Sequence, residues 1–207
     1  MQLLSQIYIM KYLVTILLLV SINVLSAQSS EDINLLQTDT TWRKETLRFP
    51  FPFAQEIELE GEIDVRFTHG WSDVDSPYFW SYAFAWSMQN AEEMTVAEIE
   101  DNMELYLGGL MKVVNRDTSF VVPSTVALFS ETDSTHGKNN YIGKIKMHDS
   151  FFSKQMITLH VKGEQFYCET DQCVKFFCKL SPQDYSSVDV WKHLEDTHWD
   201  KSDCRQE

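Results

Sequence analysis

Hydrophobic and charged residues alternate from Glu56 to Phe67, with Gly61 at one hydrophobic position. Ile57, Leu59, Ile63, Val65 and Phe67 fall on one side, and Glu56, Glu58, Glu60, Glu62, Asp64 and Arg66 on the other. Period two is the mark of a strand buried on one face, or of two strands meeting near Gly61, with the acidic row solvated. PYFWSYAFAWSM (77–88) also alternates, but by size. Tyr78, Trp80, Tyr82, Phe84, Trp86 and Met88 share one side; Phe79, Ser81, Ala83, Ala85 and Ser87 share the other. A helix would scatter the large rings around its circumference, so this pattern predicts a strand over 78–88 buried on both faces. It reads as core rather than as a ring platform for a sugar, because the residues between the rings are mostly small.

The period then changes. Thr95-Val-Ala-Glu98 forms a capping box ahead of Ile99, Met103, Tyr106, Leu110 and Val114 at helical spacing, which predicts a helix over 95–114. Gly108 and Gly109 disturb it, and the large face of 78–88 is the bulky neighbour they are expected to admit. Strands follow at 119–130, 141–148, 156–162, 165–168 and 173–180, parted by the turn-type stretches TDSTHGKNN, HDSFFSKQ, KGE and ETDQ. LRFPFPF (47–53) is extended but, with Pro50 and Pro52, cannot be a central strand. A second helix is predicted over 187–199. The order of elements gives an α+β class, with two helices on a mostly antiparallel sheet. It resembles the PsbP/Mog1-like sandwich in the order of its elements, and that likeness implies a fold and no activity.

The N-terminal pattern adds a compartment. From Met10, MKYLVTILLLVSINVLSAQ runs from one lysine through an apolar stretch to Ser26-Ala27-Gln28, the order of a secretory leader. Thr15, Ser21 and Asn23 interrupt it, and it is too short for a permanent span. Residues 1–27 are therefore expected to be removed, with either Met1 or Met10 as the start. Residues 28–41 are then a flexible lead-in and 42–207 one domain. A secreted or periplasmic location follows, with no stable membrane anchor. The net charge of −14 argues against nucleic acid as a partner.

Export also bears on the four cysteines, Cys168, Cys173, Cys178 and Cys204. An even number in an exported chain reads as two disulfides. Three connectivities are open; Cys168–Cys173 across a hairpin turn with Cys178–Cys204 is the preferred one. A zinc site with His193 or His198 is the rival, but neither close cysteine pair has zinc-site spacing, and two histidines five apart on a helix are turned by about 140°.

No nucleophile elbow, phosphate loop, metalloprotease helix or dinucleotide fingerprint occurs, so no catalytic residue, cofactor or metal is assigned. The candidate site is the loop that feeds the aromatic strand, with His69, Trp71, Asp73, Asp75 and Tyr78 as candidate ligand-binding residues. Asp73 and Asp75 could offer carboxylates to Ca²⁺, against the plainer reading of an Asx turn. His69 with Asp73 could support acid–base hydrolysis.

FPFAQEIELEGEIDVRFTHGWSD followed by PYFWSYAFAW resembles uncharacterised exported bacterial proteins over residues 42–110 and brings no catalytic residues with it. The expectation is a non-enzymatic binding domain for a small molecule, glycan or protein. The alternatives are a small hydrolase using His69 and Asp73, or a structural protein of envelope assembly.

Overall fold

The computed structural model describes residues 33–38, 41–132, 134 and 137–199. The leader expected over 1–27 and Cys204 lie outside these residues. The fold is α+β and antiparallel throughout its main sheet. Seven strands run in the order β2-β3-β4-β8-β7-β6-β5. They are β2 (Arg43–Arg48), β3 (Glu60–Phe67), β4 (Tyr82–Gln89), β5 (Val126–Glu131), β6 (Asn139–His148), β7 (Met156–Cys168) and β8 (Cys173–Ser181). Helix α1 (Val96–Val114) covers one face. Helix α2 (Val188–Glu195) covers part of the other, beside a small pair formed by β1 (Leu36–Gln37) and β9 (His198–Trp199). No helix among the described residues is long and apolar enough to cross a membrane.

The two-sided strand explains the layering. On β4, Tyr82, Phe84, Trp86 and Met88 enter the core beneath α1, while Ala83 and Ala85 enter the second core beneath α2 and β9. Small side chains on that side let the second layer sit close. The strand is shorter than its alternation predicts. Residues 77–80 form turns, and Trp80 takes a φ of +52°, so the pleat begins only at Ser81–Tyr82. Trp80 nevertheless reaches the same core, with 2% of its surface exposed.

The capping box of α1 is formed as the sequence predicts. Glu98 N–H donates to Thr95 Oγ1 at 3.3 Å, and Thr95 N–H donates to Glu98 Oε2 at 2.8 Å. The same helix also seals the sheet edge. The outward amides of β5 donate to its carboxylates, Ala127 N–H to Glu104 at 2.9 Å and Phe129 N–H to Glu100 at 2.7 Å. These groups would otherwise offer a template to another strand.

The glycine pair of α1 does not meet the rings of β4. A Cβ on Gly109 would lie 2.0 Å from the carbonyl oxygen of Phe53, and one on Gly108 would lie 3.3 Å from Thr125 Oγ1. The close approach is to the backbone of the 51–54 turn, while Tyr106 packs on Trp86 with ring centroids 5.8 Å apart.

Several predicted boundaries move, each for a local reason. KGE is no turn. β7 runs through it, because Gly163 lies against Cys178 and Tyr141, and its charged neighbours have partners in Lys162–Glu195 (2.7 Å) and Lys138–Glu164 (3.1 Å). β3 begins at Glu60 rather than Glu56, and β5 at Val126 rather than Ser119. α2 stops at Glu195, so His198 leaves the helix and is exposed in β9, while His193 is half-buried between Trp42 and Tyr78, each ring 5.1 Å away.

Two further expectations are corrected by burial. The preferred disulfide pairing is not formed, since Cys173 and Cys178 are both free and buried. Cys173 faces Cys168 in register, but Cys168 is not a free thiol. Cys178 lies in the core beneath α1, on the opposite face of β8 from Cys173 and from Trp199, near the C-terminus. The charged side of β3 is not wholly solvated either. Asp64 is fully buried, and it accepts from Arg66 Nε (2.6 Å), Arg66 Nη2 (2.8 Å), Leu35 N–H (2.9 Å) and Leu36 N–H (3.1 Å). Arg66 also donates to Asn34 Oδ1 at 2.7 Å. This clamp holds part of the expected lead-in, and Ile33, Leu35 and Leu36 are buried in the second core.

Candidate functional site: an aromatic cleft beside helix α1

The loop between β3 and β4 is built from successive tight turns. Trp71 N–H donates to Thr68 O, Asp73 to Gly70, Ser76 to Asp73, Phe79 to Ser76 and Ser81 to Tyr78, at 2.8–3.2 Å. Gly70 supplies a φ of +86° that an L side chain rarely adopts. Thr68 closes the loop by donating through Oγ1 to Ser81 O at 2.7 Å. Trp80 N–H crosses it to Trp71 O at 2.8 Å, which fixes both tryptophans against the end of the sheet.

That end carries a cleft of about 440 Å³, within the range of small-molecule sites. Its floor is the row Phe67–Tyr82, with Val65 beneath; its walls are Trp71, Trp80 and Phe152; Tyr106 and Leu110 of α1 roof it. The rings contact one another, Phe67–Trp71 at 4.2 Å and Trp71–Phe152 edge-on at 5.2 Å. Arg43 and Glu45 of β2 stand at the rim, with the Arg43 guanidinium 5.9 Å from the centroid of Phe67.

The wall at Phe151–Phe152 is set by Asp149. Its carboxylate accepts from the amides of Phe151 (2.9 Å), Phe152 (3.1 Å) and Ser153 (2.6 Å), and from Ser153 Oγ (2.8 Å). Burial opposes ionisation of Asp149, but these bonds outweigh it and hold the carboxyl below its ordinary range.

The polar groups in the cleft are few. Among the described residues Trp80 Nε1 is buried and has no hydrogen-bond partner, as is also true of the indole nitrogens of Trp42, Trp86 and Trp199. Burial pushes the phenols of Tyr82 and Tyr106 upward, with further contributions from Tyr106 and Cys178 at Tyr82 and from Glu45 at Tyr106. Both rings therefore keep their protons well above neutrality. The sign for stability follows. An unfolded tyrosine ionises near pH 10 while the folded one does not, so this contribution is complete below that pH and is lost as pH rises through and beyond it. The urea midpoint is expected to fall between about pH 9 and about pH 11, and to fall less in a Tyr82→Phe/Tyr106→Phe variant.

Of the residues singled out from the sequence, only Trp71 lines the cleft. Tyr78 lies on the other side of the sheet against His193. Asp73 closes an Asx turn, accepting from Asp75 N–H at 3.1 Å, and Asp75 is exposed. His69 is exposed, and among the described residues no hydrogen bond joins it to Asp73. No cluster of three metal-ligating side chains occurs among the described residues. Tyr82 and Tyr106 are legible in sequence as core positions, but nothing in a linear pattern marks a cleft beside them. No family model, curated protein or solved structure matches the chain.

Proposed function

We propose that this chain is an exported, non-enzymatic binding protein that takes a small, mainly apolar ligand into the cleft beside α1. The leader pattern of residues 1–27 supports export. The observation that carries the binding reading is the state of Trp80. A buried tryptophan is held at φ +52° and lines a ring-walled cleft. Left-handed backbone at a bulky residue costs about 1–3 kcal/mol and gathers at ligand clamps. The aromatic walls offer a large contact area at little entropic cost.

Titration of the protein with the neutral dye N-phenyl-1-naphthylamine, read by tryptophan quenching and dye emission, tests this. Saturable binding is expected at one site. Trp71→Ala is expected to weaken it about tenfold through loss of one ring wall, and Asp73→Ala to leave it unchanged. Equal affinity in wild type and Trp71→Ala would overturn the reading.

A further inference from the structure

We propose that the cleft selects flat apolar ligands bearing a neutral carbonyl oxygen, and that the hydroxyls of Tyr82 and Tyr106 donate to that oxygen. This rests on the binding reading above and adds the chemistry of the ligand.

Tyr82 is the first residue of β4 and Tyr106 lies in the body of α1, yet both line the same cleft. Their side chains are almost wholly enclosed, at 3% and 4% exposure. Among the described residues neither hydroxyl has a hydrogen-bond partner, and neither is sealed from solvent as Trp80 Nε1 is, so both open on the cleft. An apolar occupant that drove water off them would leave them unpaired. Tyr185 shows the contrast within this chain. Its hydroxyl lies within hydrogen-bond distance of the carbonyl oxygens of Gly143 (2.8 Å) and Val161 (2.9 Å).

Burial keeps both phenols protonated, and a protonated phenol is a good donor. Two donors opening on one apolar space call for an acceptor on the occupant. The rim holds Arg43 and Glu45 together, so no net positive charge offsets the cost of carrying a carboxylate into an apolar cleft. A ketone, ester or amide oxygen satisfies the donors without adding charge.

Two probes of nearly equal shape separate this inference from the one beneath it. 2-Acetylnaphthalene carries a carbonyl, and 2-ethylnaphthalene does not. In calorimetric or fluorescence titrations of the intact protein, the ketone is expected to bind about tenfold more tightly, the size of a hydrogen-bonded group meeting otherwise unpaired donors. The Tyr82→Phe/Tyr106→Phe variant keeps both rings, and in it the ratio is expected to fall to about one.

If both probes bind wild type equally, carbonyl selection is overturned and the binding reading stands. The same holds if the ratio survives loss of both hydroxyls. If neither probe binds, both readings fall. The wild-type ratio needs no variant to fold, so a destabilised double variant does not remove the test.

Discussion

Replacing Asp64 with alanine is expected to destabilise the fold by about 3–5 kcal/mol, the usual result of removing one partner from a buried ion pair. The carboxylate accepts four bonds, two from Arg66 and two from the amides of Leu35 and Leu36. Its loss leaves Arg66, itself only 9% exposed, as an unpaired charge, and frees the segment that carries Ile33, Leu35 and Leu36 into the second core. Asp64→Asn is expected to lie between, since the amide oxygen can still accept but carries no charge. Urea unfolding read by tryptophan fluorescence measures both. A loss below about 1 kcal/mol for Asp64→Ala would place the clamp among the weak surface pairs. Limited proteolysis of Asp64→Ala is expected to cut near residues 33–38 before the sheet itself.

Gly109→Ala is expected to cost about 2–3 kcal/mol by overpacking, although alanine is the better helix former by about 1 kcal/mol. The added Cβ would lie 2.0 Å from the Phe53 carbonyl oxygen, so either α1 or the 51–54 turn must move. Gly108→Ala is the control one residue away. There the nearest atom is the end of the Thr125 side chain at 3.3 Å, which can turn aside. Its stability is expected to stay within about 1 kcal/mol of wild type. Because Phe53 and Leu110 both line the cleft, Gly109→Ala is also expected to weaken dye binding, whereas Gly108→Ala is not. Thermal melts alongside the titration separate the two effects.

The elements legible in sequence were those whose signal is local. Thr95 and Glu98 announce the start of α1, and the alternation of Tyr82, Phe84, Trp86 and Met88 against Ala83 and Ala85 announces a strand with two buried faces. Alternation says which residues share a side, not what covers that side. Asp64 and Arg66 therefore read as the solvated row of an acidic strand until the segment at 33–36 is laid over them. Trp80 belongs to the same alternation by spacing but leaves it by backbone conformation, because the turns from Thr68 to Ser81 deliver it to the core with a positive φ. The candidate site was half legible for a related reason. Its loop and Trp71 are visible in the sequence, but the cleft exists only where α1, β2 and the Asp149 loop meet, and those segments are far apart along the chain.

The two rims of the main sheet differ in kind. At β5, Glu100 and Glu104 occupy the outward amides, while at β2 no described strand pairs with the outer side. A strand from a second copy that approached β5 would bring its carbonyl oxygens against the carboxylates of Glu100 and Glu104, so this rim repels the pairing that would extend the sheet.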